Sequence, residues 1–206
     1  MSTAAAEPVP VTFWFDPSCP FTWMTSRWMH EVAEQRPLDI TWRVMSSPIT
    51  NEGNEVPAEI AHFVAAAWKG ARVAVAVAEQ HDSDTLGRFY TALGQRSHVG
   101  GQLIDETVIL KALAEVGLPS ELAAAADDPA YDVAVRASHA QSQEAVGGTF
   151  GSPVVAIDGR AFFGPVVTPI PRGADALRLF DGLHNLAAVP QFAEVKRARN
   201  GPPDFS

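Results

Sequence analysis

Cysteine is almost absent from this chain of 206 residues, which contains only Cys19. A single cysteine excludes an intrachain disulfide, a cage of cysteines around zinc and an internal dithiol. Any thiol redox chemistry within one chain therefore needs an external thiol. The six histidines are scattered, and no two of them have the four-residue spacing of a helical metal site, so we expect no metal.

Long apolar runs are also missing. The longest clean run, residues 60–68, is about half of the roughly 18–20 residues that a membrane span needs. Residues 1–10 contain neither a basic residue nor a hydrophobic segment, so no secretory signal is predicted. From these absences we expect a cytoplasmic protein without a membrane partner.

Basic residues are few, with 15 Lys and Arg against 24 Asp and Glu and a net charge of −9. Such a chain is a poor candidate for binding nucleic acid or an anionic membrane. Its one local basic run, Lys196, Arg197 and Arg199, is typical of a solvated helix face. The composition, 47% hydrophobic and 19% charged, predicts a folded core.

The first part of the chain has the pattern of a β-α-β unit, which favours a parallel strand pair. Val11 to Phe15 is a β-branched and aromatic run, and Leu38 to Met45 alternates like a second strand. The helix between them is predicted from one apolar face made by Met24, Trp28 and Val32, and it ends before Pro37.

Residues 57–146 are rich in alanine and have helical spacing. Val73 to Val77 alternates like a strand, but its helical neighbours favour a helix. One helix is expected to stop at Gly117, the next to begin with Ser120 as its N-cap, and a third to have Asp128 at its N-cap and Pro129 at its first position.

Strand character returns after residue 148. Residues 154–157 and 160–163 are predicted to form a hairpin around an Asp158-Gly159 turn, and residues 174–186 a closing helix. The tail from Asn200 is expected to fray. We therefore predict an α/β protein with two domains, residues 1–50 with 147–206, and an inserted helical domain over residues 51–146.

Cys19 stands between a strand and Pro20, which is favoured at the first position of a helix. The sulfur is then at a helix N-terminus, where unpaired N–H groups and the helix dipole stabilise the nucleophilic thiolate. The Thr22 hydroxyl is expected to reach the sulfur across the first turn. The alternative is that Cys19 is a small buried hydrophobe.

Cys19-Pro20-Phe21-Thr22 resembles the Cys-Pro-x-Cys site of the DsbA family, with threonine in place of the second cysteine. Further segments resemble the actinobacterial mycothiol-dependent nitroreductase branch of that family: Phe13-Trp-Phe-Asp-Pro17, Trp23-x-Thr-Ser-Arg-Trp28, Gly151-x-Pro153, Phe162-Phe-Gly-Pro165 and Ile170-Pro-Arg-Gly173. The resemblance implies a thioredoxin fold (β-α-β … β-β-α) with an inserted helical domain. It also implies that Pro153 is a cis-proline facing Cys19 and that the Ser152 backbone hydrogen-bonds a thiol substrate.

Thr22 cannot attack a mixed disulfide, so dithiol oxidase activity is rejected for one chain acting alone. A monothiol cycle remains, in which Cys19 forms a mixed disulfide that a second small thiol resolves. The resemblance points to mycothiol, although the sequence does not decide between it and glutathione. The second substrate is expected to be a small electrophile, such as a nitro compound or a quinone, or a disulfide.

Candidate substrate-binding residues surround the motif. Pro20, Phe21 and Trp23 are expected near an apolar pocket between the domains, although Trp23 also suits the core. His98 is placed in the pocket wall by the resemblance, with a solvated or capping histidine as the alternative. Arg172 is a candidate for binding a carboxylate of the thiol, with an ordinary loop arginine as the alternative.

Two other classes of function remain open from the sequence. One is a thiol-cofactor transferase or isomerase resembling the kappa class, in which no protein disulfide forms. The other is a non-catalytic binding protein on the same scaffold. Both a monomer and a homodimer are compatible with the sequence.

Overall fold

The computed structural model describes residues 7–199 and 201–206 and contains a four-stranded sheet in the order β2-β1-β3-β4. β1 pairs in parallel with β2 and antiparallel with β3, which pairs antiparallel with β4. The predicted parallel unit and the hairpin at Asp158-Gly159 are both confirmed. The strands are β1 Val9–Phe15, β2 Leu38–Val44, β3 Val154–Ile157 and β4 Arg160–Phe163.

Seven helices accompany the sheet in the described part of the chain: α1 Pro20–Ala33, α2 Ser47–Thr50, α3 Ala61–Gln80, α4 Ser83–Gly94, α5 Glu106–Glu115, α6 Asp132–Val146 and α7 Gly173–Ala187. Short 3₁₀ segments cover Ala58–Ile60, Ser120–Asp127 and Pro129–Tyr131, and a π turn covers Gln95–Val99. Every element between β2 and β3 is helical, as expected. The division into two domains stays a prediction.

The helix boundaries correct one prediction and confirm two. Ser120 is not an N-cap, because it is already the first residue of the 3₁₀ segment. The N-cap is Pro119, whose backbone is extended, with φ −59° and ψ 135°. The Asp128 carboxylate does cap, accepting a hydrogen bond from Ala130 N at 2.9 Å. The valines 73–77 lie within α3, which confirms the helical interpretation.

Residues 58–80, which include α3, are long and apolar enough to cross a membrane by length and composition, yet half of the apolar window is buried inside the fold. α3 packs against α4, α6 and the 3₁₀ segment 120–127. Two cations on α3 form ion pairs with these neighbouring regions, Lys69 with Asp127 at 2.7 Å and Arg72 with Asp132 at 2.6 Å. These contacts favour a core helix of the fold over a membrane span. A mostly buried core helix can have the same length and composition as a membrane span.

One cluster of buried apolar side chains runs from the sheet into the helical block. Phe15 of β1 stacks on Tyr90 of α4 with ring centroids 4.0 Å apart, and Trp23 of α1 meets Tyr90 edge-on at 5.9 Å. α4 approaches closely because Gly94 has no side chain: a β carbon there would overlap the Trp23 ring. This packing fixes the helical block against the first turns of α1.

The C-terminal segment differs from the expectation of a frayed tail. Asn200 lies outside the described residues, but Phe205 packs against the main buried cluster. The Thr168 hydroxyl donates a hydrogen bond to Pro202 O at 2.9 Å. For residues 201–206 the prediction is therefore wrong, because a large aromatic side chain near the end of the tail has apolar surface to cover.

Candidate active site

Cys19 is the N-cap of α1, with Pro20 at the first helical position. Its backbone N–H donates to Asp16 O at 3.2 Å, and its carbonyl accepts from Trp23 N at 3.0 Å. The thiol is partly exposed. The predicted position of Cys19 at a helix N-terminus is confirmed, and its exposure does not fit the alternative of a buried hydrophobe.

The loop before β3 faces this thiol. Cys19 Sγ lies 4.0 Å from the carbonyl oxygen of Ser152, although the two residues are far apart in the chain. The Ser152–Pro153 peptide bond is cis, and Pro153 O accepts a hydrogen bond from Gly164 N at 2.8 Å. Pro153 and Ser152 are thus brought to the sulfur, as the resemblance implies.

A buried carboxylate that the sequence analysis did not single out organises the surroundings of Cys19. Asp16 is 1% exposed and accepts hydrogen bonds from Ser18 N at 2.8 Å, Ser18 Oγ at 2.7 Å and Ser47 N at 2.5 Å. Ser47 Oγ in turn lies 3.3 Å from Ser152 Oγ. We call Asp16, Ser47 and Ser152 the rim, because this network joins the three loops around the thiol.

A cavity of about 890 Å³ opens beside Cys19, with the two neighbours of that residue, Ser18 and Pro20, in its lining. Much of the rest of the lining consists of apolar side chains from α3 and the segments before it and before α5. We call four of these residues, which are all partly or largely exposed, the apolar wall: Val56, Ile60, Phe63 and Leu103. The cavity therefore offers an apolar surface within reach of a nucleophile.

His98 lies in the lining of this cavity. Its Nε2 atom is 3.0 Å from Pro17 O, and burial lowers the pKa of the ring to about 4 against the smaller opposing effects of Pro17 and Asp16. The ring is neutral at pH 7. Since a carbonyl oxygen only accepts, Nε2 carries the proton and Nδ1 keeps a lone pair.

Charge in the lining is acidic. Glu52 and Glu55 line the cavity, and no lysine or arginine of residues 7–199 and 201–206 does. Arg136 lies outside the lining and pairs with Glu52 through two contacts of 2.6 and 2.8 Å, which hold the pKa of that carboxyl below its usual value. An anionic ligand would find no cationic side chain in this lining.

Four of the predicted binding residues do not line the cavity: Ser152, which faces the thiol from the loop before β3, and Phe21, Trp23 and Arg172. Trp23 is 1% exposed because its ring turns into the core, with His98 at 5.7 Å and the Arg27 guanidinium at 4.1 Å. Phe21 is covered by the guanidinium of Arg199 at 4.5 Å. Arg172 precedes α7 and pairs with Glu31 at 3.2 Å, so its charge already has a partner.

The predicted hydrogen bond between Thr22 and the sulfur is also absent. Thr22 is fully buried, and its hydroxyl has no hydrogen-bond partner. The reason is that Thr22 lies on the inward side of α1, whereas Cys19 is partly exposed at the helix end. The last side chain of the motif therefore fills space in the core.

No cluster of three or more histidine, cysteine, aspartate or glutamate side chains suited to a metal occurs in the part of the chain that the structure describes. The site is then a thiol, a surrounding network of neutral donors and acceptors with one carboxylate, and an apolar cavity. Nucleophilic attack by sulfur is the chemistry that these groups provide.

The fold and the thiol at the start of α1 define the class: a thioredoxin-fold protein of the DsbA type. The DsbA-type protein SCO1869 of Streptomyces coelicolor is 16% identical, with a TM-score of 0.61 over 92% of this chain and 94% of that one. The thiol-disulfide exchange protein alpha-DsbA2 of Wolbachia pipientis is 16% identical, with a TM-score of 0.55 over 90% and 85% of the chains. At these identities the likeness shows the fold alone.

Sequence comparison narrows the class. Residues 18–197 match the family described as mycothiol-dependent nitroreductase Rv2466c, and the chain belongs to this family. It is also 35% identical to the uncharacterized protein Rv2286c of Mycobacterium tuberculosis. The aligned 194 residues cover 92% of this chain and 82% of that protein. The family resemblance predicted from the motifs is confirmed.

Proposed function

We propose that the protein transfers two electrons from a small thiol to an electrophilic acceptor through the single thiol of Cys19. The observation that carries this proposal is the position of Cys19: at the N-terminus of α1, 4.0 Å from the Ser152 carbonyl, between two residues that line an 890 Å³ cavity. A thiolate stabilised there is a nucleophile with room for a substrate beside it.

The cycle needs two molecules of external thiol. In the first half, Cys19 and one external thiol each give up a proton and an electron to the acceptor, and a sulfur–sulfur bond joins them. In the second half, another external thiol attacks as the thiolate, the Cys19 sulfur leaves, and the external disulfide is released. The acceptor gains two electrons and two protons, and Cys19 returns unchanged.

Threonine in place of a second cysteine supports a cycle that uses two molecules of external thiol. Residue 22 has no sulfur to attack the mixed disulfide, and its hydroxyl is buried away from solvent. The Ser152 carbonyl and the neighbouring backbone are the groups that would hold the external thiol beside the sulfur. Release of that thiol then depends on a second molecule in solution.

Mycothiol is the thiol that we propose, and the charge of the cavity supports it. Glutathione carries two carboxylates and one ammonium group and is therefore a net anion, and the described lining offers it Glu52 and Glu55 but no lysine or arginine. Mycothiol carries a sugar and an inositol instead of carboxylates, and Asn51, Asn54 and Gln102 supply amide groups for such hydroxyls. Because the lining is acidic and supplies no lysine or arginine for these carboxylates, we expect glutathione to bind more weakly than an uncharged thiol.

We also propose a cytoplasmic protein whose partners are this thiol and a small electrophile of the nitro or quinone class. The apolar wall suits a flat, uncharged acceptor. Neither nucleic acid nor a membrane has a role in the proposed reaction, and a homodimer would be compatible with it.

The test is thiol-dependent loss of a nitroaromatic or quinone absorbance, with mycothiol and glutathione compared at equal concentration. We expect turnover with mycothiol, little with glutathione, and none with Cys19→Ser. Full turnover by Cys19→Ser would contradict the proposal and favour a kappa-like transferase or isomerase. Absence of turnover and of thiol binding would favour a binding protein.

A further inference from the structure

The C-terminal segment contributes a side chain to the active-site cavity. Phe205 lines the same cavity as Ser18 and Pro20, the two neighbours of Cys19. It lies beyond residues 18–197, so the family match says nothing about it. No prediction from the sequence assigned it a role.

Contacts from both halves of the molecule fix the position of this segment. From the helical block, the ring of His98 lies 6.1 Å from that of Phe205, with an angle of 46° between their planes. From the loop after β4, Thr168 Oγ1 donates to Pro202 O at 2.9 Å. Phe205 is itself partly buried against the main apolar cluster, so its ring is held in place in the cavity lining.

Phe205 is connected through His98 to the loop before Cys19. His98, which Phe205 contacts, is 3.0 Å from the carbonyl of Pro17 in the loop that leads into Cys19. Arg199, at the start of the same segment, covers Phe21 in the first turn of α1. The Phe205 ring and the two neighbours of Cys19 therefore line one cavity, which is the space beside the sulfur that a ligand can occupy.

We propose that Phe205 is a specificity-determining residue that limits the width of the electrophile reaching Cys19. The proposal rests on the proposed reaction at Cys19, whose acceptor must enter the cavity. A smaller side chain at this position widens the cavity, and a larger one narrows it. The rate at which a narrow electrophile reacts with Cys19 should not change with either substitution.

The experiment measures the rate at which maleimides of two widths alkylate the protein. Cys19 is the only cysteine, so every rate reports on this one sulfur. N-ethylmaleimide is the narrow reagent, and N-(1-pyrenyl)maleimide the wide one. Phe205→Ala should raise the rate of the wide reagent about three- to tenfold and leave that of the narrow one within about twofold, whereas Phe205→Trp should lower the wide rate.

Val195→Ala is the matched control, because Val195 is 79% exposed and outside the cavity lining. It should change neither rate. If both alkylation rates change by the same factor in Phe205→Ala, the site has loosened generally and the proposal is overturned. It is also overturned if neither rate changes. Alkylation needs no mycothiol, so a changed ratio without thiol-dependent turnover would defeat the proposed function and leave Phe205 as the width filter.

Discussion

The rim around Cys19 and the apolar wall of the cavity are built in different ways. The rim consists of polar groups that hydrogen bonds hold in place, with the Asp16 carboxylate buried at its centre. The wall consists of apolar side chains left partly in solvent, among them Phe63, which is 57% exposed. The difference suggests that this molecule fixes the reacting atom by hydrogen bonds and selects its ligand by apolar contact.

The largest expected change near the rim comes from Thr22→Cys. Residues three apart in a helix are neighbours, about 5–6 Å between β carbons, so a second sulfur there is in reach of Cys19 after small shifts. Thiol counting before and after a mild oxidant should show that both thiols are lost. Ser26→Cys, further along α1, is the control and should keep its thiols. If Thr22→Cys also keeps both thiols, core packing holds the side chain at position 22 too far from the Cys19 sulfur for a disulfide.

Asp16→Ala removes the centre of the rim. The backbone N–H groups of Ser18 and Ser47 lose their acceptor, and each buried unpaired donor costs about 1–3 kcal/mol, so the free energy of unfolding should fall by about 3 kcal/mol. Urea unfolding checks this value.

The matched control for this change is Asp39→Ala on β2, where the carboxylate is exposed. Its effect should stay within about 0.5 kcal/mol. Equal effects of the two substitutions would mean that the Asp16 network does not hold the loops together.

Phe63→Ser breaks the wall and leaves the rim intact. Because the side chain is largely exposed, stability should change by no more than about 0.5 kcal/mol. The KM for an apolar electrophile should rise about three- to tenfold, with kcat little changed, since the lost contact contributes to binding. Val133→Ser, at a valine that is even more exposed and lies outside the lining, should alter neither stability nor KM. An unchanged KM would remove the wall from substrate binding.

Local patterns predicted much of this fold. The β-α-β unit, the hairpin and the N-cap at Cys19 each depend on residues close in the chain, and so they could be derived from spacing. The rim could not, because Asp16 bonds to Ser47, and Ser152 approaches Cys19 across 133 positions. Only the family resemblance placed Ser152 and Pro153 beside the sulfur.

The errors have physical causes too. Thr22 ends the Cys-Pro-x-Thr motif and Trp23 follows it, and this closeness in the chain suggested that Thr22 contacts the sulfur and Trp23 the substrate. The helix turns both side chains into the core, where Tyr90 and Gly94 of α4 receive the Trp23 ring. Which face of α1 is covered depends on the packing of the helical block, which no local pattern describes.

The most direct test of the account is the mass of the intact protein, trapped with acid during turnover with mycothiol and an electrophile. We predict a species heavier by one mycothiol less two hydrogens, lost on treatment with a reductant and absent from Cys19→Ser. Turnover at the full rate with no such adduct, or an adduct on Cys19→Ser, would contradict a cycle that passes through the Cys19 sulfur.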